Sequence, residues 1–173
     1  QRQQQYFVFE NHETHQPILM DTALLNLLHL SDPTLPIGGF SHSAGLETYV
    51  QQKIVKDKTT ARAFITEMLS RNLQYTDAAF VSLAFDAALN KDLLKIAELD
   101  NECSAVKLPM EMRQASKKLG MRLLKIFHPL DESELLAAYN EKVVLQETPG
   151  NYCIAFAVTA QSLSISKLDT IHG

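Results

Sequence analysis

Between Ala61 and Leu69 the apolar residues Ala61, Phe64, Ile65, Met68 and Leu69 fall at i, i+3, i+4, i+7 and i+8. That is the 3.6-residue period of a helix laid against a core. The pattern resumes through Ala79, Phe80, Leu83, Ala84, Ala87 and Ala88, and again through Met112, Ala115, Leu119, Leu123, Ile126 and Phe127. No comparable run alternates with the period of two that a strand would need. The β-branched residues are scattered through helical stripes. The expected fold is therefore all-α: a single-domain bundle of roughly seven to eight helices of ordinary length.

Punctuation sets the boundaries. Asp21-Thr22 caps a helix to about Leu30 that is apolar nearly all round, so it should be buried. Ser31-Asp32-Pro33-Thr34-Leu35-Pro36 breaks it, because two prolines remove donors and extend the chain. Thr59 or Thr60 opens the next clear helix. Asn90 punctuates, and a helix follows from Asp92 to about Asp100. Pro109 fits the first turn of another, which stops at His128-Pro129. Asp131 and Glu134 resemble a capping box for a helix through Val144. Thr148-Pro149-Gly150 reads as a turn, and Ile154 to Leu163 as an apolar, small-residue helix. Ser166 and Asp169 have capping-box spacing, yet only a turn or so of chain follows, too short for a stable isolated helix. The preferred reading is that the bundle is C-terminally incomplete. Residues 1–17, polar and ending in Pro17, are expected to be a mobile tail with one apolar patch, Tyr6-Phe7-Val8-Phe9, ahead of the domain at 18–173.

Composition narrows the partners. The 173 residues are 46% hydrophobic and carry a net charge of −4 without a long basic run, which argues against nucleic acid. The apolar stretches are shorter than the ~18 residues a membrane span needs. Cys103 and Cys153 are fifty residues apart, too few for a disulfide scaffold and without metal-ligand spacing. Buried free thiols and a cytosolic home are expected.

The segment from Leu35 to Glu47 is as Gly-rich as a loop and as rich in small residues as a buried helix. Gly38-Gly39 lacks the Gly-Lys-Ser/Thr and the preceding strand of a phosphate cradle. Ser41, His42 and Ser43 are neighbours in sequence and point to different helix faces, so they make no nucleophile–base pair. The histidines do not support a tight metal site within one chain: His12 and His15 lie in the polar tail, and His29, His42, His128 and His172 are isolated. A site shared across subunits stays open. A second region runs from Pro109 to Arg122. There Arg113, Ser116 and Gly120 lie a turn apart, giving a small, polar face. Gly120 costs up to ~1 kcal/mol in mid-helix, which points to a close helix–helix approach.

Both regions resemble the signatures of a known family. Leu35-Pro36-Ile37-Gly38-Gly39-Phe40-Ser41-His42-Ser43-Ala44-Gly45-Leu46-Glu47 looks like the N-terminal signature of the urease accessory protein UreF. Glu111-Met112-Arg113-Gln114-Ala115-Ser116-Lys117-Lys118-Leu119-Gly120-Met121-Arg122 resembles its second signature, in the same order. Asp77 and the Ala-rich helix after it also fit. The resemblance covers about residues 20–172. It implies an all-α, homodimeric, cytosolic chaperone without enzymatic activity or a tightly bound cofactor. It implies the partners UreD/UreH, the GTPase UreG and apo-urease, with nickel as the cargo of the complex. The expected partner or dimer interface is Pro36, Gly38, Gly39, Phe40, Ser41, His42, Ser43, Gly45, Leu46 and Glu47, joined by Glu111, Arg113, Ser116, Gly120 and Arg122. In this picture Phe40 and Leu46 are apolar anchors, and Glu111, Arg113 and Arg122 form a charged surface for UreG. Two departures stand out: Asn151-Tyr152-Cys153 occupies a stretch where the family is expected to be His-Tyr-Pro-like, and the family usually continues for a few more helices. The alternatives are a helical metal-binding protein using its own histidines and a generic helical adaptor.

Overall fold

The computed structural model describes residues 6–10, 17–39 and 45–173. Nine α-helices occur among them: α1 (Thr22–Leu30), α2 (Leu46–Gln51), α3 (Lys58–Glu67), α4 (Asp77–Leu89), α5 (Leu93–Val106), α6 (Met110–Phe127), α7 (Glu134–Val144), α8 (Tyr152–Ser162) and α9 (Lys167–His172). The domain is all-α, as its periodicity predicts. Outside the bundle, β1 (Tyr6–Glu10) pairs antiparallel with β2 (Pro17–Asp21), with Tyr6 opposite Asp21 and Glu10 opposite Pro17. The sequence reading gave this apolar patch no strand. The hairpin needs both segments, and neither alone carries a clear alternation.

Helix α8 is the axis of the fold. All eight residues from Cys153 to Ala160 are buried. The small residues Ala155, Ala157 and Ala160 let neighbouring helices come close, while Ile154, Phe156 and Val158 fill the space between. Each buried large side chain contributes about 1.5–3 kcal/mol. Helices α4 and α6 pack along α8, and α5 packs on α4. The last turn of α1 adds Leu30, and α7 adds Leu136, Tyr139 and Val143 to the same core.

The expected caps hold at α1 and α9, while α3, α6 and α7 begin a residue or two away from where the sequence placed them. The Asp21 carboxylate accepts from Ala23 N at 2.9 Å. Asp57 and Thr60 form a reciprocal capping box, so α3 starts at Lys58. The start of α7 differs from the expected Asp131–Glu134 box: Ser133 is the cap, its hydroxyl accepting from Leu136 N, while Asp131 accepts from Ser133 N. Pro109 sits just before α6, at the cap, not inside the first turn. At α9 the Ser166 hydroxyl accepts from Asp169 N and donates to the Asp169 carboxylate.

Two expectations about burial are corrected. Helix α1 is not buried all round: Leu24 is 55% and Leu28 61% exposed. The stripe that first signalled a helix is also open, with Ile65 54% and Leu69 55% exposed. Periodicity reports that a helix has an apolar face, not what covers it. Helix α3 then runs directly into a π-helical turn, Met68–Leu73. That turn carries Leu73 toward α4 and α6, where it lines a cleft.

One buried carboxylate fixes the turn between α7 and α8. Helix α5 extends past Asp100, its expected end, to Val106, so Asp100 lies mid-helix and fully buried. Its Oδ2 accepts from the Tyr139 hydroxyl at 2.9 Å, the Thr148 hydroxyl at 2.9 Å and Gly150 N at 2.7 Å. Its Oδ1 accepts from Asn151 N and Nδ2, both at 2.8 Å. Asn151 Nδ2 also reaches the Asp100 carbonyl and the Ser104 hydroxyl. Burial and the adjacent Asp100 charge push the Tyr139 phenol well above its usual range, so it stays a donor. Replacing Asp100 with Ala would strand these donors in the interior, at about 1–3 kcal/mol each. Asp100→Ala is expected to lower the unfolding free energy by about 3 kcal/mol or more, read from the urea midpoint at an unchanged denaturant slope.

Candidate functional site

The two signature regions touch. After the Pro33–Pro36 break, Leu35 and Ile37 turn inward to 8% and 7% exposure, leaving Pro36 outside. Gly38 then adopts φ +84°, a left-handed conformation that only glycine takes without strain. From α6, Arg122 Nη1 donates to the Ile37 carbonyl at 2.9 Å. A Cβ on Gly38 would overlap that guanidinium. Gly39 follows against Leu119 of α6. Residues 85 positions apart in sequence thus form one contact. A cavity of about 270 Å³ lies beneath it, lined by Leu30, Ile37, Gly39, Leu119 and Tyr152 among others.

The other side of α6 faces inward. Ser116 is buried, and its hydroxyl accepts from Tyr152 N at 3.1 Å. Gly120 is pressed against the turn before α8: a Cβ there would overlap the Gly150 carbonyl and come within 2.9 Å of the Asn151 carbonyl carbon. The close approach expected at Gly120 is therefore present, and it is internal to the chain. Ser116 and Gly120 belong inside the fold, a correction to their expected place at an interface. Small residues spaced one turn apart mark close packing without telling which surface comes close.

Arg113 is also turned inward. Its Nη1 donates to the Lys107 carbonyl at 2.7 Å and to the Leu108 carbonyl, tying α6 to the end of α5. Glu111 is exposed, as are Gln114, Lys118, Met121, Arg122 and Lys125. These positions, three or four residues apart, form the outward stripe of α6. At the entrance to α2, Gly45 has φ +91°, Leu46 is half-buried and Glu47 is exposed. Phe40, Ser41, His42 and Ser43 lie outside the described residues.

A larger cleft of about 390 Å³ opens between α4, α6, α8 and α9. Its walls are mostly apolar, from Leu73, Val81, Met112, Leu119 and Phe156, and it also meets Cys153. The polar group at its edge is an ion pair, Lys107 Nζ lying 2.7 and 2.8 Å from the two Asp77 oxygens. Burial works against the Lys107 charge, but the Asp77 hydrogen bond and field outweigh it, so the ammonium is held above its usual range. Asp77, singled out from sequence, has this role, whereas Lys107 was missed. So was Asp100, although a signal for it exists: an acid on the Ile96–Leu99–Cys103 face of α5 must be paired once that face is buried.

The described histidines do not converge. His29 stacks beside Phe127 at 5.2 Å between ring centroids, His128 begins the short 3₁₀ turn His128–Leu130, and His172 ends α9. His12, His15 and His42 lie outside the described residues. Among the described residues, no group of three or more His, Cys, Asp or Glu side chains could hold a metal ion. No described helix is long and apolar enough to cross a membrane.

The family model for UreF matches residues 55–173, a span that includes α6 and its signature. The chain belongs to the UreF family. It is 46% identical over 151 residues to a Haemophilus influenzae protein named urease accessory protein UreF, covering 87% of this chain and 64% of that protein. A protein of the same name from Actinobacillus pleuropneumoniae is 44% identical over 146 residues, covering 84% and 64%. One from Lachnoclostridium phytofermentans is 39% identical over 152 residues, covering 88% and 67%. The chain thus spans just under two thirds of the length of the first two UreF relatives.

The two signature glycines of this UreF-family chain should respond differently to an added methyl group. At Gly120 the obstacle is backbone, which cannot move aside. At Gly38 it is the tip of a flexible arginine, with left-handed strain added. Gly120→Ala is expected to cost about 2–3 kcal/mol, and Gly38→Ala about 1 kcal/mol. Thermal unfolding of the two variants in parallel checks the order.

Proposed function

We propose that this chain is a non-catalytic scaffold of urease maturation. With UreD/UreH it recruits the GTPase UreG to apo-urease, and nickel is the cargo of that assembly. It acts as a cytoplasmic homodimer and holds no tight cofactor of its own. The observation that carries this reading is the contact between the two UreF signatures, Arg122 on the Ile37 carbonyl, in a chain whose relatives are named urease accessory proteins. Nothing in that contact forms a nucleophile, an acid–base pair or a phosphate cradle. It fixes the shape of a surface.

The mechanism follows from that shape. Arg122 clamps the Ile37-Gly38-Gly39 turn onto α6, so the turn and the outward stripe of α6 form one rigid platform. Preorganising a surface removes part of the ordering cost of binding. Glu111, Lys118 and Lys125 stand on the stripe and present charges of both signs to a partner, which favours orientation and encounter rate over raw affinity. Arg122 sits where turn and stripe join. In this reading Gly39 permits close approach of the partner backbone, and Ser41, His42, Ser43 and Glu47 add polar contacts beside it.

The test is co-purification with UreD/UreH, UreG and apo-urease, followed by urease activation. Arg122→Ala should release the turn and weaken GTPase recruitment by about tenfold, the scale of one charge-assisted hydrogen bond. Gly39→Leu should disturb assembly while leaving helical content, read by circular dichroism, intact. Recruitment at wild-type affinity by the double Arg113→Ala, Arg122→Ala variant would overturn the placement of the GTPase surface on α6. No capture of any urease component by the unmodified chain would overturn the scaffold reading itself.

A further inference from the structure

Cys103 and Cys153 are fifty residues apart in sequence, yet their sulfurs lie 3.4 Å from each other. Both residues are buried, at 0% and 2% exposure, and both are free thiols. Cys103 is on the last turns of α5 and Cys153 on the first turn of α8. The two helices are already joined here, since Asn151 bonds to both Asp100 and Ser104 of α5. The pair is therefore held in register by backbone that other interactions have fixed. A disulfide needs sulfurs about 2.05 Å apart, so closure asks for a shift of roughly 1.4 Å.

We propose that Cys103 and Cys153 form a reversible intramolecular disulfide that bolts α5 to α8. Access is through the cleft, which Cys153 lines, and Cys103 is reached from there, its sulfur lying 3.4 Å behind that of Cys153. The hydrogen bond shared with Cys153, with help from the Lys107 charge against the cost of burial, holds the Cys103 thiol below its usual range. The same bond and burial push Cys153 up. One sulfur is thus the better thiolate, and the other carries the proton.

The oxidant is a peroxide. The Cys103 thiolate attacks one peroxide oxygen and the O–O bond breaks; the sulfur becomes a sulfenic acid, and the departing hydroxide takes up the proton the thiol had released and leaves as water. The second sulfur, 3.4 Å away, then attacks the first, the S–O bond breaks and a second water leaves. Two thiols and one hydrogen peroxide give one disulfide and two waters, with two electrons passing from sulfur to oxygen. A dithiol reductant reverses the crosslink by exchange. The bond closes a loop of fifty residues and so restrains the unfolded chain strongly. It also pins the Thr148–Asn151 turn on which Gly120 rests.

The whole chain, reduced and then exposed to hydrogen peroxide under native conditions, tests this. The expected product is a monomer about 2 Da lighter by intact mass, with two free thiols falling to none together. Proteolysis should yield a Cys103–Cys153 linked peptide. The melting temperature should rise by roughly 10 °C and return on addition of dithiothreitol. Cys153→Ser should abolish the mass loss and the rise. Thiols that remain free until the chain is denatured would overturn the proposal. So would oxidation that yields oxygen adducts or disulfide-linked dimers in place of the internal bond.

Discussion

The Asp100 carboxylate is the interaction on which the other packing rests. A carboxylate at zero exposure is tolerated only when its lone pairs are filled, and here hydroxyls, backbone N–H groups and an amide fill them. The consequence reaches beyond α5. By accepting from Gly150 and Asn151, the carboxylate sets the position at which α8 begins. That position lays the Gly150 carbonyl and Tyr152 N–H against α6, where Gly120 leaves room and Ser116 accepts the N–H. With α6 placed, Arg122 reaches the Ile37 carbonyl and the glycine turn is held. The surface assigned to partners is thus the outer end of a chain of contacts that starts at a buried charge.

Helix α6 separates two roles that the sequence presents as one motif. Its inner face, with Ser116, Gly120, Leu123 and Phe127, is structural. Its outer face, with Glu111, Gln114, Lys118 and Lys125, is exposed. Arg113 and Arg122 belong wholly to neither. Each spends its guanidinium on a carbonyl at the end of another segment, where a rigid set of donors suits a chain end that has left its helix or turn. Their charges therefore act first within the fold.

The helices were legible because they are written locally. Asp21 caps α1, and Ser166 with Asp169 caps α9, within a few residues. The apolar stripes of α4 and α6 repeat within each helix. Legibility stopped where a residue's partner is far along the chain. The Tyr6–Glu10 strand depends on Pro17–Asp21. Lys107 draws its meaning from Asp77, and Cys103 from Cys153. Gly120 was correctly expected to mark a close approach, but its partner proved to be Gly150, not another subunit.

By itself the sequence determined the class of fold, most helix starts to within a residue or two, and the family, because period, caps and motif order are short-range properties. Tertiary structure decided which apolar faces are covered. It left Ile65 and Leu69 open while enclosing Cys153 to Ala160 on all sides. It also decided that a mid-helix acid would organise the turn before α8, and that two signatures 85 residues apart at their point of contact would meet. The physical reason is the same in each case. Burial and long-range hydrogen bonding depend on what else occupies the space around a residue, and no local pattern carries that information.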